Sequence, residues 1–335
     1  MNKIKEYAFK TILAMKNPFK SVDCVFPLAL ENISENEGYY IGIKDTIFLT
    51  SLMEKKLKEA AYFVHTRDKS SIGGRAIDIN LKNPITGFPM TGSSSGTAIN
   101  VFLGINDIGI GTDGGGSVLA PAISLNLFSL IDPFLFLEER KQIEKKVSTD
   151  GISFTPSIGF LSRTLNQLQN LYFQTRFINS LDNNVTVFCE STIKEEFLKN
   201  VDLNNVSFKE LLGKYSNKRV DLIETVEHYL KEYDIIISKE GPVDLYGFGD
   251  SVFGHFDSTT KEIQNNGNKG LVRIANMLGC FALTIPCSRL STGYLIMCKA
   301  TNISAIKKAF LIGQSLKNEE DNLTKSYFLN YKNYF

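Results

Sequence analysis

Two stretches rich in glycine and serine stand in the middle of the chain: Thr91-Gly-Ser-Ser-Ser-Gly-Thr97 and Gly109-Ile-Gly-Thr-Asp-Gly-Gly-Gly-Ser117. The first leads into an apolar segment, residues 98–103, and its hydroxyl groups are therefore expected to cap the start of a helix. In the second, three successive glycines let the backbone turn without Cβ clashes, so that several N–H groups can point at one place. A serine hydroxyl beside such donors suits acyl transfer, which needs a nucleophile and a site for an oxyanion.

The two stretches resemble the signature of the amidase signature family of serine hydrolases, which reads roughly G-S-S-G-G and then G-T-D-x-G-G-S. Upstream, Ile41-Gly-Ile-Lys-Asp-Thr-Ile47 resembles the strand end that carries the family's catalytic lysine. Downstream, residues 159–164 resemble its G-P-L-A-R-T segment, and residues 274–286 resemble N-x-x-G-x-P-A-x-x-x-P. The five landmarks occur in the family's order, and this makes the resemblance specific although no single landmark is.

The resemblance implies a Ser–cisSer–Lys amidohydrolase that forms an acyl-enzyme. Ser117 is expected to attack the amide carbonyl, and Ser93, on a loop whose peptide bond is cis in the family, to pass the proton to Lys44. Lys44 accepts a proton only when it is neutral, a state that burial favours. Asp45 follows it, but successive side chains at a strand end point to opposite faces.

The resemblance also assigns supporting roles around the nucleophile. The expected donors to the oxyanion are the backbone N–H groups of Gly114, Gly115, Gly116 and Ser117. Asp113 is expected to support the glycine loop, residues 114–116, and Ser94 is expected to hydrogen-bond within its own loop. Ser95 stands where the family has glycine, and we interpret it as a turn serine without a role.

The sequence departs from the family's pattern in two places. Leu119 occupies the position of an arginine, which argues against recognition of carboxylate-bearing substrates such as free glutamine. The segment between Lys44 and Ser93 is shorter than usual, and we assign the loss to residues 47–55, where it is expected to open one side of the pocket. The candidates for substrate contact are Leu119, Phe248 and His255.

Composition limits the remaining classes of function. The chain has 335 residues, 43% hydrophobic and 22% charged, which are ordinary globular values, and its net charge of +1 predicts no bulk attraction to nucleic acid or membranes. Five dispersed cysteines without CxxC pairs indicate buried thiols in a reducing compartment. With no secretory signal or membrane span in the sequence, we expect a cytoplasmic enzyme that acts on a small-molecule amide, needs no metal or cofactor, and forms a homodimer if it oligomerises.

Hydrophobic periodicity predicts the fold class: a single α/β domain over residues 1–335, with an N-terminal helix in 1–20 and a core of about 38–317 that holds a mixed sheet flanked by helices. Residues 135–147 are expected to present a solvated face, and the glycine- and asparagine-rich residues 245–270 to form a long loop at the site. Helices are predicted at 3–16, 51–63, 135–147, 164–180, 191–199, 206–215, 218–232 and 303–317. Strands are predicted at 39–43, 62–65, 184–188, 234–238, 281–286 and 294–298.

Other chemistries find less support. Gly109-x-Gly111-x-x-Gly114 matches the GxGxxG dinucleotide fingerprint, but that fingerprint opens a helix, and Gly115, Gly116 and Pro121 disfavour one. No P-loop pattern and no local Cys–His pattern is present. A Ser–His–Asp triad would need a histidine in the site, and the chain offers three: His65, His228 and His255.

The sequence therefore predicts an amidohydrolase, and two alternatives stay open. One is a protein like the ammonia-producing chain of a glutamine-dependent amidotransferase; the short chain and Leu119 argue against it. The other is a degenerate amidase that binds a ligand without turnover. The retention of Lys44, Ser93 and Ser117 argues against this second alternative, and the altered segment after Ser117 argues for it.

Overall fold

An eleven-stranded mixed sheet forms the centre of the computed structural model, which describes residues 3–26, 37–176, 184–319 and 321–330. The strands are β1 Val22–Val25, β2 Tyr39–Lys44, β3 Tyr62–Asp68, β4 Ile77–Lys82, β5 Pro89–Thr91, β6 Ile108–Asp113, β7 Phe128–Asp132, β8 Lys146–Val147, β9 Ser153–Phe154, β10 Ser157–Ser162, β11 Val187–Glu190, β12 Val206–Lys209, β13 Ile235–Glu240, β14 Cys280–Pro286 and β15 Gly293–Lys299. The large sheet has the order β1-β3-β2-β6-β10-β7-β14-β15-β13-β11-β12, and the pairs β4-β5 and β8-β9 lie outside it.

Helices cover both faces of this sheet. They are α1 Lys3–Lys16, α2 Ser51–Glu59, α3 Ser95–Phe102, α4 Leu119–Ser124, α5 Leu137–Lys141, α6 Leu165–Thr175, α7 Lys194–Asn200, α8 Arg219–Glu232, α9 Ser258–Asn265, α10 Ile303–Leu316 and α11 Asn322–Tyr327. Successive residues of the central strands face opposite sides, so that Leu130 belongs to one buried core and Ile131 to the other. In the described part of the chain, no helix combines the length and the apolar character needed to cross a membrane.

The sheet mixes parallel and antiparallel pairs, as the predicted fold class requires. Strand β2 runs parallel to β3 and to β6, whereas β10, β7, β14 and β15 form antiparallel pairs with their neighbours. Since β2 and β6 are parallel neighbours, with Ile43 opposite Ile110, their carboxyl ends lie at one edge of the sheet. Ligands collect at such an edge in α/β folds.

Several predicted elements are present with small shifts of their ends. The predicted helices at 3–16, 218–232 and 303–317 correspond to α1, α8 and α10, and the predicted strand pair corresponds to β14 and β15. The helix predicted to reach residue 180 is α6, which ends at Thr175, and residues 177–183 lie outside the described part of the chain. The predicted strand at 184–188 begins only at Val187.

Three element predictions were wrong, each for a local reason. The helix predicted at 206–215 is strand β12 followed by turns, because Val206 and Phe208 alternate with polar residues and pack on the core with a period of two. The predicted loop at 245–270 contains helix α9, which Asp257 and Thr260 open with a capping box. The predicted solvated helix at 135–147 shortens to α5, and its Glu139 is buried.

Candidate active site

Lys44, Ser93 and Ser117 line one cavity of about 800 Å³ at the edge where β2 and β6 end. The structure therefore brings together the three residues for which the sequence predicts catalysis, although 49 positions separate the first two along the chain. Ser117 is half-buried, and its side of the cavity is continuous with Gly114 and Gly115.

The Lys44 amine is held by two hydroxyl groups. Its Nζ donates to Ser93 Oγ at 2.7 Å and to Thr112 Oγ1 at 2.9 Å, and the side chain is buried. Thr112 reaches the amine because β6 lies directly beside β2. Among the described residues, no carboxylate lies within ion-pair distance of Lys44, and Asp45 instead accepts a hydrogen bond from the Ser70 N–H at 3.1 Å.

This environment favours a neutral amine. Burial, followed by repulsion from the positive charge of Lys146, lowers the pKa of Lys44 from 10.5 to about 7, against the opposing charges of Asp45 and Asp113. The neutral form of Lys44, which can accept a proton, is therefore accessible near neutral pH.

The serine-rich loop, residues 91–97, packs directly on the loop that carries Ser117. The Ser94 N–H donates to the Ser117 carbonyl oxygen at 3.2 Å, and the Ser71 N–H donates to the Ser93 carbonyl oxygen at 3.3 Å. Within the described residues the cis peptide bond is Gly241–Pro242. The cis bond beside Ser93 that the family resemblance implied is therefore absent from this structure.

The other two serines of this loop behave differently from the predictions. Ser94 precedes α3 without capping it, and its Oγ is buried beside Gly111 without a hydrogen-bond partner in the described chain. The predicted hydrogen bond within the loop was therefore wrong. Ser95 has a structural role after all: its Oγ donates to Asp78 Oδ2 at 2.6 Å and ties α3 to β4.

Asp113 sets the shape of the glycine loop. Its carboxylate accepts hydrogen bonds from the N–H groups of Gly116 at 2.7 Å, Val118 at 2.6 Å and Leu119 at 3.1 Å, and the Ser117 backbone also hydrogen-bonds it. Gly116 adopts φ +98°, a conformation that favours glycine.

This arrangement changes the predicted set of oxyanion donors. The N–H group of Gly116 donates to Asp113 and therefore leaves the set, and the Ser117 backbone also interacts with the same carboxylate. Within the described residues, the N–H groups of Gly114 and Gly115 take part in no intramolecular hydrogen bond. Gly114 and Gly115 are therefore the candidates that the geometry retains.

Asn276 is a supporting residue to which only the family resemblance of its segment pointed. Its Nδ2 donates to the carbonyl oxygens of Gly114 at 3.4 Å and Thr155 at 3.2 Å, and its Oδ1 accepts from Ser157 Oγ at 2.5 Å. Asn276 thereby joins the glycine loop to the chain segment that follows Phe154.

The three predicted substrate-contact residues do not line the cavity. Leu119 starts α4 with its side chain fully buried in the core. Phe248 packs on Phe253 with ring centroids 5.9 Å apart, and His255 is exposed to solvent. The segment 245–270, which was predicted to lie at the site, nevertheless borders the cavity through Asp250, Ser251 and Val252.

Sequence reasoning missed much of the cavity wall. Arg75 and Asp250 form an ion pair of 3.1 Å at its rim. The β8-β9 hairpin supplies Lys146, Val147 and Phe154, and Met277 closes another side. Each of these strands has two residues, too few for a periodic pattern to reveal them.

The structure also tests residues that rival chemistries would use. All three histidines are described, and none lines the cavity: His65 is buried between Thr11 and Asn106, and His228 pairs with Glu232 on the surface of α8. A short helix, α4, does follow the glycine run, contrary to our expectation. Pro121 lies in its first turn, where a missing N–H leaves no hydrogen bond unmade.

The cysteines are mostly buried, as predicted, and Cys24 is the exception because it is exposed. Burial raises the pKa of Cys189 and of Cys280 to about 12 and that of Cys287 to about 11. These three thiols therefore stay protonated and are poor nucleophiles near neutral pH.

Comparison with protein-family models gives no match, and comparison with curated proteins gives none either. Solved structures do match. An amidase family protein from Bacillus anthracis str. Ames has a TM-score of 0.64 and 12% identity, over 96% of this chain and 89% of that one. A chain of the glutamyl-tRNA(Gln) amidotransferase from Thermotoga maritima has a TM-score of 0.63 and 16% identity, over 96% and 93%.

A third match is 6-aminohexanoate cyclic dimer hydrolase in complex with its substrate, with a TM-score of 0.62 and 10% identity, over 98% of this chain and 95% of that one. The alignments span nearly the whole of each chain. The protein thus has the fold of amidase structures, as its motifs predicted.

Proposed function

We propose that the protein is an amidase, a hydrolase of carbon–nitrogen bonds other than peptide bonds, that cleaves a small carboxamide through an acyl-enzyme on Ser117. Lys44 is the general base, and Ser93 relays the proton between the two. The substrate carbonyl oxygen lies at the N–H groups of Gly114 and Gly115.

The proposed reaction moves a proton along the relay from Ser117 through Ser93 to Lys44. Ser117 Oγ attacks the carbonyl carbon while its proton passes to Ser93 Oγ, and the proton of Ser93 passes to Lys44 Nζ. The oxyanion that forms is held by backbone N–H donors, each worth about 3–4 kcal/mol of transition-state stabilisation at such sites. Lys44 returns the proton through Ser93 to the leaving nitrogen, the C–N bond breaks, and water then hydrolyses the ester through the same relay.

One observation carries the proposal: a buried lysine amine whose pKa is about 7 donates to Ser93 Oγ at 2.7 Å, in the cavity that Ser117 lines. A lysine kept for structure would be expected to bind a carboxylate. Two hydroxyl partners leave the neutral form accessible, and this is the form that a general base needs.

Labelling with a fluorophosphonate tests the proposal. Mass spectrometry of the digested protein is expected to find the adduct on Ser117, and Lys44→Ala is expected to abolish labelling while the circular dichroism spectrum stays unchanged. Ser251→Ala is the matched control, since Ser251 lines the same cavity outside the relay and its loss should leave labelling intact. Folded protein that remains unlabelled at every pH would contradict the proposal and favour a binding module.

A further inference from the structure

Two apolar side chains flank the glycine loop at the point where the carbonyl of a substrate would lie. The Phe154 ring occupies the place that a Cβ on Gly114 would need, so Gly114 and Phe154 fit together as a pair. On the other side, the terminal methyl of Met277 lies 3.7 Å from the position of a Cβ on Gly115. Both side chains are half-buried and line the cavity.

The position of Phe154 is fixed from two directions. In the β8-β9 hairpin, Phe154 pairs with Lys146, and paired residues of an antiparallel ladder project from the same face. Asn276 donates to the carbonyl oxygens of Thr155, which follows Phe154, and of Gly114. These contacts fix the Phe154 ring relative to the free N–H groups of Gly114 and Gly115.

The apolar wall continues past these residues. Pro156 and Ile158 follow Phe154 along the chain and line the same cavity. The arginines of the cavity already have acidic partners, since Arg75 pairs with Asp250 at 3.1 Å and Arg219 pairs with Asp150 at 2.6 Å. Next to the glycine loop the cavity thus presents the apolar side chains of Phe154 and Met277, and the cation that lies beside this wall is Lys146, which pairs with Phe154 in the hairpin.

We infer that the acyl part of the substrate is an uncharged, apolar group that lies against Phe154 and Met277. The inference rests on the proposed function, because it takes the carbonyl oxygen to bind at Gly114 and Gly115. With the oxygen there, the acyl chain on the carbonyl carbon is expected to extend along Phe154 or Met277, the two side chains beside the loop. Burying apolar surface on these walls is what makes an apolar acyl group preferred.

A series of p-nitroanilides tests the acyl preference. From acetyl through butyryl to hexanoyl, kcat/KM is expected to rise by about fourfold per added methylene. Succinyl p-nitroanilide matches butyryl in chain length but ends in a carboxylate, and it is expected to be the poorer substrate. Phe154→Ala is expected to flatten the rise, and Phe253→Ala, which alters a ring packed on Phe248 outside the cavity, is expected to leave it unchanged.

A second measurement does not depend on turnover. The rate at which Ser117 is labelled by an octyl fluorophosphonate is expected to exceed that of an ethyl fluorophosphonate, and Phe154→Ala should reduce the difference. Equal rates for the two probes, or a preference for the succinyl anilide that Lys146→Met removes, would overturn the apolar acyl group and leave the hydrolase standing. Failure of both probes to label Ser117 in folded protein would instead contradict the hydrolase itself.

Discussion

Two buried lysines in this protein have opposite surroundings. Lys214, 7% exposed, donates to both carboxylate oxygens of Glu190, at 2.7 and 2.6 Å. Lys44, 4% exposed, donates to the hydroxyl groups of Ser93 and Thr112. Burial alone therefore does not distinguish a structural cation from a base: the partners decide, because a carboxylate stabilises the charged amine whereas a hydroxyl tolerates the neutral one.

Two further buried lysines follow the pattern of Lys214. Lys10 pairs with Asp107 at 2.8 Å, and Lys269 pairs with Asp244 at 2.7 Å. Lys44 departs from this pattern at the edge of the sheet where the cavity opens. The departure is what marks the site, and each of the following variants tests one side of the comparison.

The largest effect is expected from Lys44→Ala. Without the base, kcat/KM for hexanoyl p-nitroanilide should fall by roughly 10⁴-fold or more, as for other catalytic groups that act as a unit. Since the variant loses an amine without a carboxylate partner, its midpoint of denaturant unfolding should stay close to that of the parent. If Lys44→Ala lowers the unfolding midpoint strongly while its folded fraction keeps full specific activity, Lys44 is a structural residue and not the base.

Lys214→Ala should do the reverse. It leaves the buried Glu190 carboxylate without its cation, and the free energy of unfolding is expected to fall by about 3–5 kcal/mol. Urea denaturation measures this, with Lys209→Ala as the control: its pair with Glu232 is exposed, and such pairs contribute about 0–1 kcal/mol. If folded Lys214→Ala loses activity as Lys44→Ala does, the distinction between the two lysines is wrong.

Thr112→Val tests whether the second hydroxyl on Lys44 matters. One hydrogen bond contributes about 0.5–1.5 kcal/mol, so kcat/KM should fall by about 2–13-fold. Thr112→Ser keeps the hydroxyl group and should restore most of the loss. Equal activity of the valine and serine variants would show that Thr112 does not position the amine.

The smallest effect is expected from Lys146→Met, through the pH profile. Only neutral Lys44 accepts the proton of Ser93, so kcat/KM should rise with pH through a midpoint of about 7. The positive charge of Lys146 lowers the pKa of Lys44, and its removal should therefore shift this midpoint to higher pH, by a fraction of a unit. Lys145→Met is the matched control, because Lys145 is exposed and lies outside the cavity wall. A shift to lower pH would contradict the role given to Lys146.

The sequence predicted those parts of the structure that short patterns specify. The buried strand before Lys44 and the glycine run before Ser117 are local signals, and the order of the landmarks predicted that these residues meet. The N–H directions in the glycine run were not predictable in the same way, because they depend on the acceptor, Asp113.

The cavity wall shows where sequence reasoning stopped. Phe154 and Lys146 lie on strands of two residues, and Arg75 meets Asp250 across 175 positions of the chain. Contacts of this kind arise from tertiary packing and leave no periodic trace. Leu119 shows the converse: its place after Ser117 suggested the pocket, yet it opens a helix whose first residue packs inward.

The charge on Lys44 is the quantity on which the account depends most directly. Protein labelled with ¹³C at the lysine ε carbons can be titrated by NMR, with the Lys44 signal assigned by its absence in Lys44→Arg. A pKa of about 7 is expected for this signal, because burial and the positive charge of Lys146 both lower it. A pKa close to the 10.5 of an ordinary lysine would contradict it, because the amine would then be charged and unable to take the proton of Ser93.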